Sequence, residues 1–428
     1  MSPKLGLFSP TAAAQLCAYA LPPFTKETDF MELTTVTEAT RIILENSIDY
    51  GTEYVPFTDA HRRVLAEPLV ADRDFPPFDR VTMDGIAIQW QSYANGQRAF
   101  RVESTQTAGE TQHTLSDPNA CIEVMTGAML PINTDLVIRY EDFTIKDGIA
   151  QLNADVREGQ NVHYQGEDRR AGTAIIHPHT LLGPPEIAIA ASIGAVQVAV
   201  KKLPSVVIIT SGDELVAVEQ TPLPHQIRSS NVHCIATLLK DYRINVDFVH
   251  IPDDLSATQQ AIQNALSQYD VLILCGGVSQ GKKDFIPKAL QAEGVEKYFH
   301  KLSQQPGKPF WFGRKNNNVV FALPGNPVSS FVCARRYFIP WLRKSLGIPA
   351  MDNMYAALCD DYVYNSPLTY FLQVQLFQEG ATLMARPLTG HGSGDFANLI
   401  DNQGFLELPK EKNTFKKGEI LPIWRYGY

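Results

Sequence analysis

An α/β domain embedded in β-rich surroundings is the fold class this sequence predicts, and three observations predict it. First, VVIIT (206–210), DVLILCGG (270–277) and VVFALPGNP (319–327) are continuous apolar runs, as in strands buried on both faces, and helical patterns alternate with them. Second, residues 72–165 carry short apolar runs broken by Gly, Pro, Asn and Asp, with no long helical period. Third, YFLQVQLF (370–377), GFLELP (404–409) and EILPIW (419–424) return to strand patterning and predict a small all-β terminal domain.

The elements follow in chain order. Thr35-Val36-Thr37-Glu38 reads as a capping box that opens a helix through Asn46, with Val36, Ala39, Ile42 and Ile43 on one face. In the β-rich part the expected strands are IAIQW (86–90), CIEVMTG (121–127), DLVIRYEDF (135–143) and GIAQLNADV (148–156), and IGAVQVAVKKLP (193–204) closes this half. From Leu203 onward the pattern is strand 206–210, a helix capped by Ser230 or Asn231, and strand INVDFVHIP (244–252). A helix capped by Ser256 follows, and then the two further buried strands.

Composition narrows the function. The 428 residues suffice for several domains, and 44% hydrophobic residues suffice for their cores. A net charge of −9, from 37 basic and 46 acidic residues, argues against a sequence-independent nucleic-acid or anionic-membrane surface. No apolar run approaches the roughly 20 residues of a membrane span. The six cysteines are scattered, without zinc or redox spacing, which suits a reducing, cytoplasmic setting. Residues 1–30 read as a disordered extension rather than a secretory signal, because Gln15 interrupts a weak apolar patch. Met31 stands just before the first helix and is an alternative start.

In parallel sheets, ligands sit outside the carboxyl ends of the strands. There this sequence places Ser211-Gly212-Asp213-Glu214, then Asp253-Asp254, then Gly276-Gly277-Val278-Ser279 with Asp284, then Pro324-Gly325-Asn326-Pro327. Glu214, Asp253 and Asp284 can thus meet on one rim, where hard carboxylates suit Mg²⁺ held together with substrate phosphates. Gly276 and Gly277 let backbone N–H groups approach an anion, and the helix after Asn326 aims its N-terminus at the same place. Pro324 and Pro327 fix that turn, Gly325 lets it bend, and Ser329 and Ser330 supply hydroxyls. Each acidic residue taken singly reads equally as a helix cap, so it is the coincidence of several strand ends that points to a site. Pro306-Gly307-Lys308-Pro309 is not a Walker loop, and His177 and His179 have no metal-ligand partner at useful spacing.

Eight segments in one order carry a resemblance: PPFDRVTMDGIAI (76–88), MTGAMLP (125–131), GQNVHYQGED (159–168), TSGDEL (210–215), GGVSQGKKDF (276–285), PGKPFWFG (306–313), LPGNPVSS (323–330) and GHGSGDFANLIDNQGFLELP (390–409). Over residues 31–428 the chain resembles the molybdenum-insertion family of molybdenum-cofactor biosynthesis, molybdopterin molybdenumtransferase, which includes the gephyrin E domain. The resemblance implies four parts: a mixed elongated domain (31–71 with 166–202), a β domain (72–165), a molybdopterin-binding three-layer α/β domain (203–350) and a C-terminal β-barrel (351–428). It implies a homodimer whose site lies between one subunit's α/β domain and the partner's β domain, and contacts with other molybdenum-cofactor biosynthesis proteins. The implied reaction is Mg²⁺-dependent: molybdenum from molybdate enters adenylylated molybdopterin and AMP is released. Carried over by motif, Glu214, Asp253 and Asp284 match the acidic site residues, and Asp84, Thr126 and Asp168 match further catalytic positions. Gly276, Gly277, Ser279, Lys301, Lys308, Pro324, Gly325, Asn326, Pro327, Ser329 and Ser393 match substrate-binding positions.

The chain also departs from the pattern. Gln305 stands where the family has Lys, Gln373 where it has Arg, and Ser229 where Asp is usual; His163-Tyr164-Gln165 replaces a basic stretch. Losing a charged partner to an oxyanion costs roughly 1.5–3 kcal/mol. Two alternatives therefore stay open beside the insertase: a divergent paralogue that binds molybdopterin or a partner without the chemistry, and a metal-dependent nucleotide pyrophosphatase on the same α/β domain.

Overall fold

The computed structural model describes residues 33–279, 284–388 and 390–426. The expectations for residues 1–30 and Met31 lie outside the described residues, as do Gln280 to Lys283 of the glycine loop.

The first helix spans Val36–Glu45, and the Thr35 side chain accepts from the Glu38 N–H at 3.2 Å. Its apolar stripe of Val36, Ala39 and Ile43 is buried in the same core as the α/β sheet. The Trp341 Nε1–H donates to the Asn46 carbonyl at 2.9 Å and fixes the helix end against helix Ile339–Ser345. Three antiparallel ribbons follow, each pairing an outgoing segment with a returning one: Thr52–Pro56 with Gln197–Lys201, Leu69–Val70 with Ala174–Ile176, and Arg80–Val81 with Val162–His163. Helix Pro184–Ser192, which the sequence reading did not single out, packs beside them.

The β-rich part is a six-stranded sheet. Its strands, from edge to edge, are Leu136–Arg139, Gly85–Ile88, Ala120–Val124, Ala99–Gln106, Ile149–Leu152 and Phe143–Lys146. The expected strand 86–90 stops at Ile88. The Trp90 N–H donates to Asp135 Oδ1 at 2.6 Å, and a short helix, Trp90–Ala94, begins there instead. Strand Ala99–Gln106 was missed, because its FRVEST alternation is interrupted by charge.

The α/β domain holds a second six-stranded sheet: β1 (Val206–Ser211), β2 (Val246–Ile251), β3 (Val271–Cys275), β4 (Glu296–His300), β5 (Trp311–Lys315) and β6 (Asn318–Leu323). Their order is β2-β1-β3-β6-β5-β4. The β1–β2, β1–β3 and β3–β6 pairs are parallel, and β5 runs antiparallel to both its neighbours. The predicted helix near 257–269 is Leu255–Gln268, and its cap is a correction: Asp254, not Ser256, accepts from the Ala257 N–H at 2.8 Å. Asp254 lies in extended conformation just before the helix, where a carboxylate reaches the orphan N–H groups; Ser256 is already inside.

The terminal domain is a closed barrel. Strands Thr369–Glu379, Thr382–Pro387, Tyr355–Leu358, Ile420–Arg425 and Gly404–Leu408 pair in a ring, and the last pairs back to the first. Closure leaves no open sheet edge. The short strand Gln304–Gln305 of the α/β domain adds to it in parallel at Thr369 and Tyr370. Arg336 locks the joint: its Nε is 3.0 Å from Glu407, and its guanidinium stacks 4.3 Å over Trp424.

Candidate functional site

The sheet order reverses at β1 and β3: the chain crosses from β1 to β2 on one side and reaches β3 on the other. That reversal opens a crevice at the strands' carboxyl ends. A cleft of about 730 Å³ lies there, walled on the far side by the barrel residues Tyr370, Phe371, Gln373 and Ser393.

Most of the residues expected from the sequence meet in this cleft. Glu214, Asp253, Gly276, Gly277, Ser279, Lys308, Pro324, Gly325, Asn326, Pro327, Ser329 and Ser393 all line it. Gly276 and Gly277 sit at φ of 95° and 62°, the left-handed region that favours glycine. A Cβ at Gly277 would stand 2.8 Å from Ser211 Oγ and 3.0 Å from the Ile286 side chain, so the loop has no room for a larger residue. The Asn231 amide donates to the Gly325 carbonyl at 2.7 Å and braces the Pro-Gly-Asn-Pro turn. Asn326 Nδ2 donates to Ser393 Oγ at 2.8 Å, and the Val328 N–H donates to the Ser393 carbonyl at 3.1 Å. The helix opening at Pro327 is thus braced by the barrel loop, and that first-turn N–H is already used.

Other expected residues lie elsewhere. Asp284 does not line the cleft, but Ser279 Oγ, which does, donates to its carboxylate at 2.6 Å. Lys301 lies outside it, with its backbone paired to Phe310 and Thr34. Asp84 and Thr126 flank strands Gly85–Ile88 and Ala120–Val124 at one end of the β-domain sheet, where the Thr126 N–H and Oγ1 donate to Asp84 Oδ1 at 2.6 and 2.7 Å. Those two bonds hold the Asp84 carboxyl below the usual range. Asp168 is exposed beside His163, whose Nε2 is 3.1 Å away.

The departures face the cleft. Gln305, Gln373 and Ser229 all line it. Tyr364 donates its hydroxyl to Gln305 Oε1 at 2.8 Å, and Asn398 donates to Gln373 Oε1 at 2.8 Å. Burial pushes the Tyr364 hydroxyl up to about 12, so it stays a donor. Tyr364 stacks on Tyr370 with ring centroids 4.1 Å apart. This wall is neutral and aromatic; among the described residues the basic ones lining the cleft are Lys308 and Arg228, whose Nε donates to the Val218 and Gln220 carbonyls at 2.9 and 3.1 Å.

Among the described residues no three His, Cys, Asp or Glu side chains form a ready-made metal cage. Glu214 and Asp253 still offer hard oxygen donors to the same space, and Asp284 sits one hydrogen bond behind it. Such a set fits Mg²⁺, which takes one or two carboxylates and completes its shell with water and phosphate oxygens. The sequence reading passed over Arg228, Gln304 and Tyr370, which also line the cleft. Arg228 sits beside the quoted Ser229, and its charge next to a strand-to-helix junction was the available signal.

Three family models match the chain in order: "MoeA N-terminal region (domain I and II)" at residues 34–194, "Probable molybdopterin binding domain" at 207–344, and "MoeA C-terminal region (domain IV)" at 355–426. A molybdopterin molybdenumtransferase of Synechocystis is 40% identical, covering 91% of this chain and 99% of its own length. The Bacillus subtilis protein of the same name is 28% identical over 91% of this chain and 93% of its own. A solved structure, a molybdopterin biosynthesis moeA protein from Pyrococcus horikoshii OT3, superposes with a TM-score of 0.80 at 26% identity, covering 92% of this chain and all of the other. With this identity sustained along nearly the whole chain, and the three parts in the same order, the protein belongs to the molybdopterin molybdenumtransferase family.

Proposed function

We propose that this protein acts in molybdenum-cofactor biosynthesis as a molybdenumtransferase, taking adenylylated molybdopterin and molybdate as substrates and releasing AMP. The observation that carries the reading is the cleft at the β1/β3 reversal, which gathers Glu214, Asp253, two left-handed glycines and Lys308 in a chain 40% identical to a named molybdopterin molybdenumtransferase. The comparisons lend no support to a binding-only paralogue.

Each group has a task in that reaction. An oxygen nucleophile, water or molybdate, bonds to phosphorus as the phosphoanhydride bond between AMP and molybdopterin breaks, so negative charge develops on the departing phosphate. Among the described residues lining the cleft, Lys308 and Arg228 carry the positive charge to meet it, and the Gly277 N–H can hold a phosphate oxygen, while that of Gly276 is taken by the Leu323 carbonyl at 3.1 Å. Glu214 and Asp253 would hold Mg²⁺, with Asp284 fixed behind Ser279. Bound Mg²⁺ supplies electrostatic stabilisation to the phosphate oxygens. Ser329 and Ser393 offer hydroxyls to molybdate, and Gln305 and Gln373, each pinned through its carbonyl oxygen, keep an NH₂ to donate.

Asp84, Thr126 and Asp168 do not reach the cleft of their own chain, so the reading includes a homodimer in which the partner's β domain completes the site. Sedimentation with and without substrate tests this. A monomer that turns over at full rate would remove those residues from the mechanism. For the cleft itself, Glu214→Gln is expected to lower AMP release by at least about 10²-fold with the fold intact. Unchanged release would exclude that carboxylate.

A further inference from the structure

Beneath the cleft lies a buried polar cluster that the reaction scheme leaves unused. Gln304 is fully buried, as are Tyr337 and Cys333. The Tyr337 hydroxyl donates to Gln304 Oε1, while Gln304 Nε2 donates to the Pro306 carbonyl at 2.9 Å and to Cys333 Sγ at 3.6 Å. The Cys333 thiol reaches the Gly307 carbonyl at 3.8 Å. One residue on, the Lys308 carbonyl accepts the N–H groups of Leu302 and Phe310 at 2.8 and 2.9 Å. The peptide units leading into Lys308 are therefore gripped from below and from the side.

A buried amide with both ends engaged is a demanding way to fill space, since losing either partner leaves an unsatisfied polar group. Its supports come from two other parts of the fold. Tyr337 belongs to the π-helical stretch Ala334–Phe338, whose Arg336 is the residue that locks the barrel through Glu407. The backbone at Gln304 pairs with barrel residue Thr369. Burial keeps the Tyr337 hydroxyl protonated, so it remains the donor. The π stretch and the lysine loop meet at the Gln304 side chain, and the barrel pairs with its backbone.

We propose that Gln304, held by Tyr337, is a positioning residue that sets Lys308 against the oxyanions of the substrate. The proposal rests on the cleft reading above, in which Lys308 meets the phosphates.

The test is a double-mutant cycle on the full-length protein. Tyr337→Phe, Gln304→Leu and the pair together are made in wild-type and in Lys308→Ala backgrounds. Dissociation constants for adenylylated molybdopterin, KM and kcat for AMP release, and thermal midpoints are read. Tyr337→Phe is expected to raise KM about 10-fold with kcat changed less than about twofold, the scale of one weakened charge-assisted contact. The Tyr337→Phe/Gln304→Leu pair removes both partners of the buried hydroxyl–amide bond and leaves the Pro306 carbonyl without its Gln304 donor, so it should regain part of the thermal midpoint without regaining KM. In the Lys308→Ala background the same changes should add less than about twofold. Equal, multiplicative effects in both backgrounds would overturn the proposal and make the cluster ordinary packing. If Lys308→Ala itself binds substrate as tightly as wild type, the placement of Lys308 on the phosphates fails, and the proposal falls with it.

Discussion

Gly307→Ala offers a sharp perturbation of the lysine loop. Gly307 sits at φ of 96°, and an added Cβ would stand 2.6 Å from Cys333 Sγ and 2.6 Å from Gln304 Nε2. Ordinary contact starts near 3.4 Å, and both neighbours are buried and hydrogen-bonded, so neither can swing away. Forcing a side chain into left-handed backbone costs about 1–2 kcal/mol. Overpacking a dense core adds about 1–3 kcal/mol. The variant should therefore lose about 2–5 kcal/mol by urea denaturation. Because the strain is relieved by lifting the loop, Lys308 moves with it, and a shift of about 1 Å is enough to lower kcat/KM by up to about 10²-fold. Adding Cys333→Ala removes the sulfur and should return part of both losses. A Gly307→Ala protein with wild-type stability and turnover would refute the packing argument and the link from loop to lysine.

Three other outcomes are expected. Asp284→Ala should abolish Mg²⁺-dependent AMP release while circular dichroism stays native; normal turnover would remove Asp284 from the site. Arg336→Ala should lower stability by about 3–5 kcal/mol in denaturant titrations, because Glu407 is left without its buried partner, whereas a loss under 1 kcal/mol would mean the barrel is held otherwise. Burial lowers the pKa of His300, whose Nε2–H donates to the Val278 carbonyl at 2.8 Å. The folded state thus disfavours the charged ring. This contribution is complete above the unfolded value near 6.5 and is lost as pH falls through the folded value. Between pH 7.5 and 5 the urea midpoint of His300→Gln should fall less than that of wild type; parallel curves would contradict this.

Much of the site was legible because strand ends in a parallel sheet are legible. VVIIT, VLILC and VVFAL are apolar on both faces, so the polar residues that follow each run had to leave the sheet on one side. Glu214, Gly276, Gly277 and the Pro324–Pro327 turn were read that way, Asp253 from the end of INVDFVHIP, and all line the cleft. The antiparallel pair β4 and β5 was not legible, since EKYFH and WFGRK mix charge and aromatics without a clean period. Nor was Gln304: one amide in a Ser-Gln-Gln-Pro stretch gives no hint that Tyr337, far along the chain, will bury it. The cap at Asp254 was misread because Asp and Ser are near-equal caps, and the choice was made by where the backbone leaves β2. Motif resemblance put Asp84, Thr126 and Asp168 among the site residues; in the structure they lie in turns outside the α/β domain and do not line the cleft.

If this cleft performs molybdate-dependent AMP release, AMP formed from adenylylated molybdopterin with Mg²⁺ will respond as molybdate is raised from micromolar to millimolar. Turnover should be saturable and molybdate-dependent, with a half-saturation lowered by Gln305→Lys and Gln373→Arg as cations return to the neutral wall. Tight binding of adenylylated molybdopterin with no AMP at any molybdate concentration would contradict it.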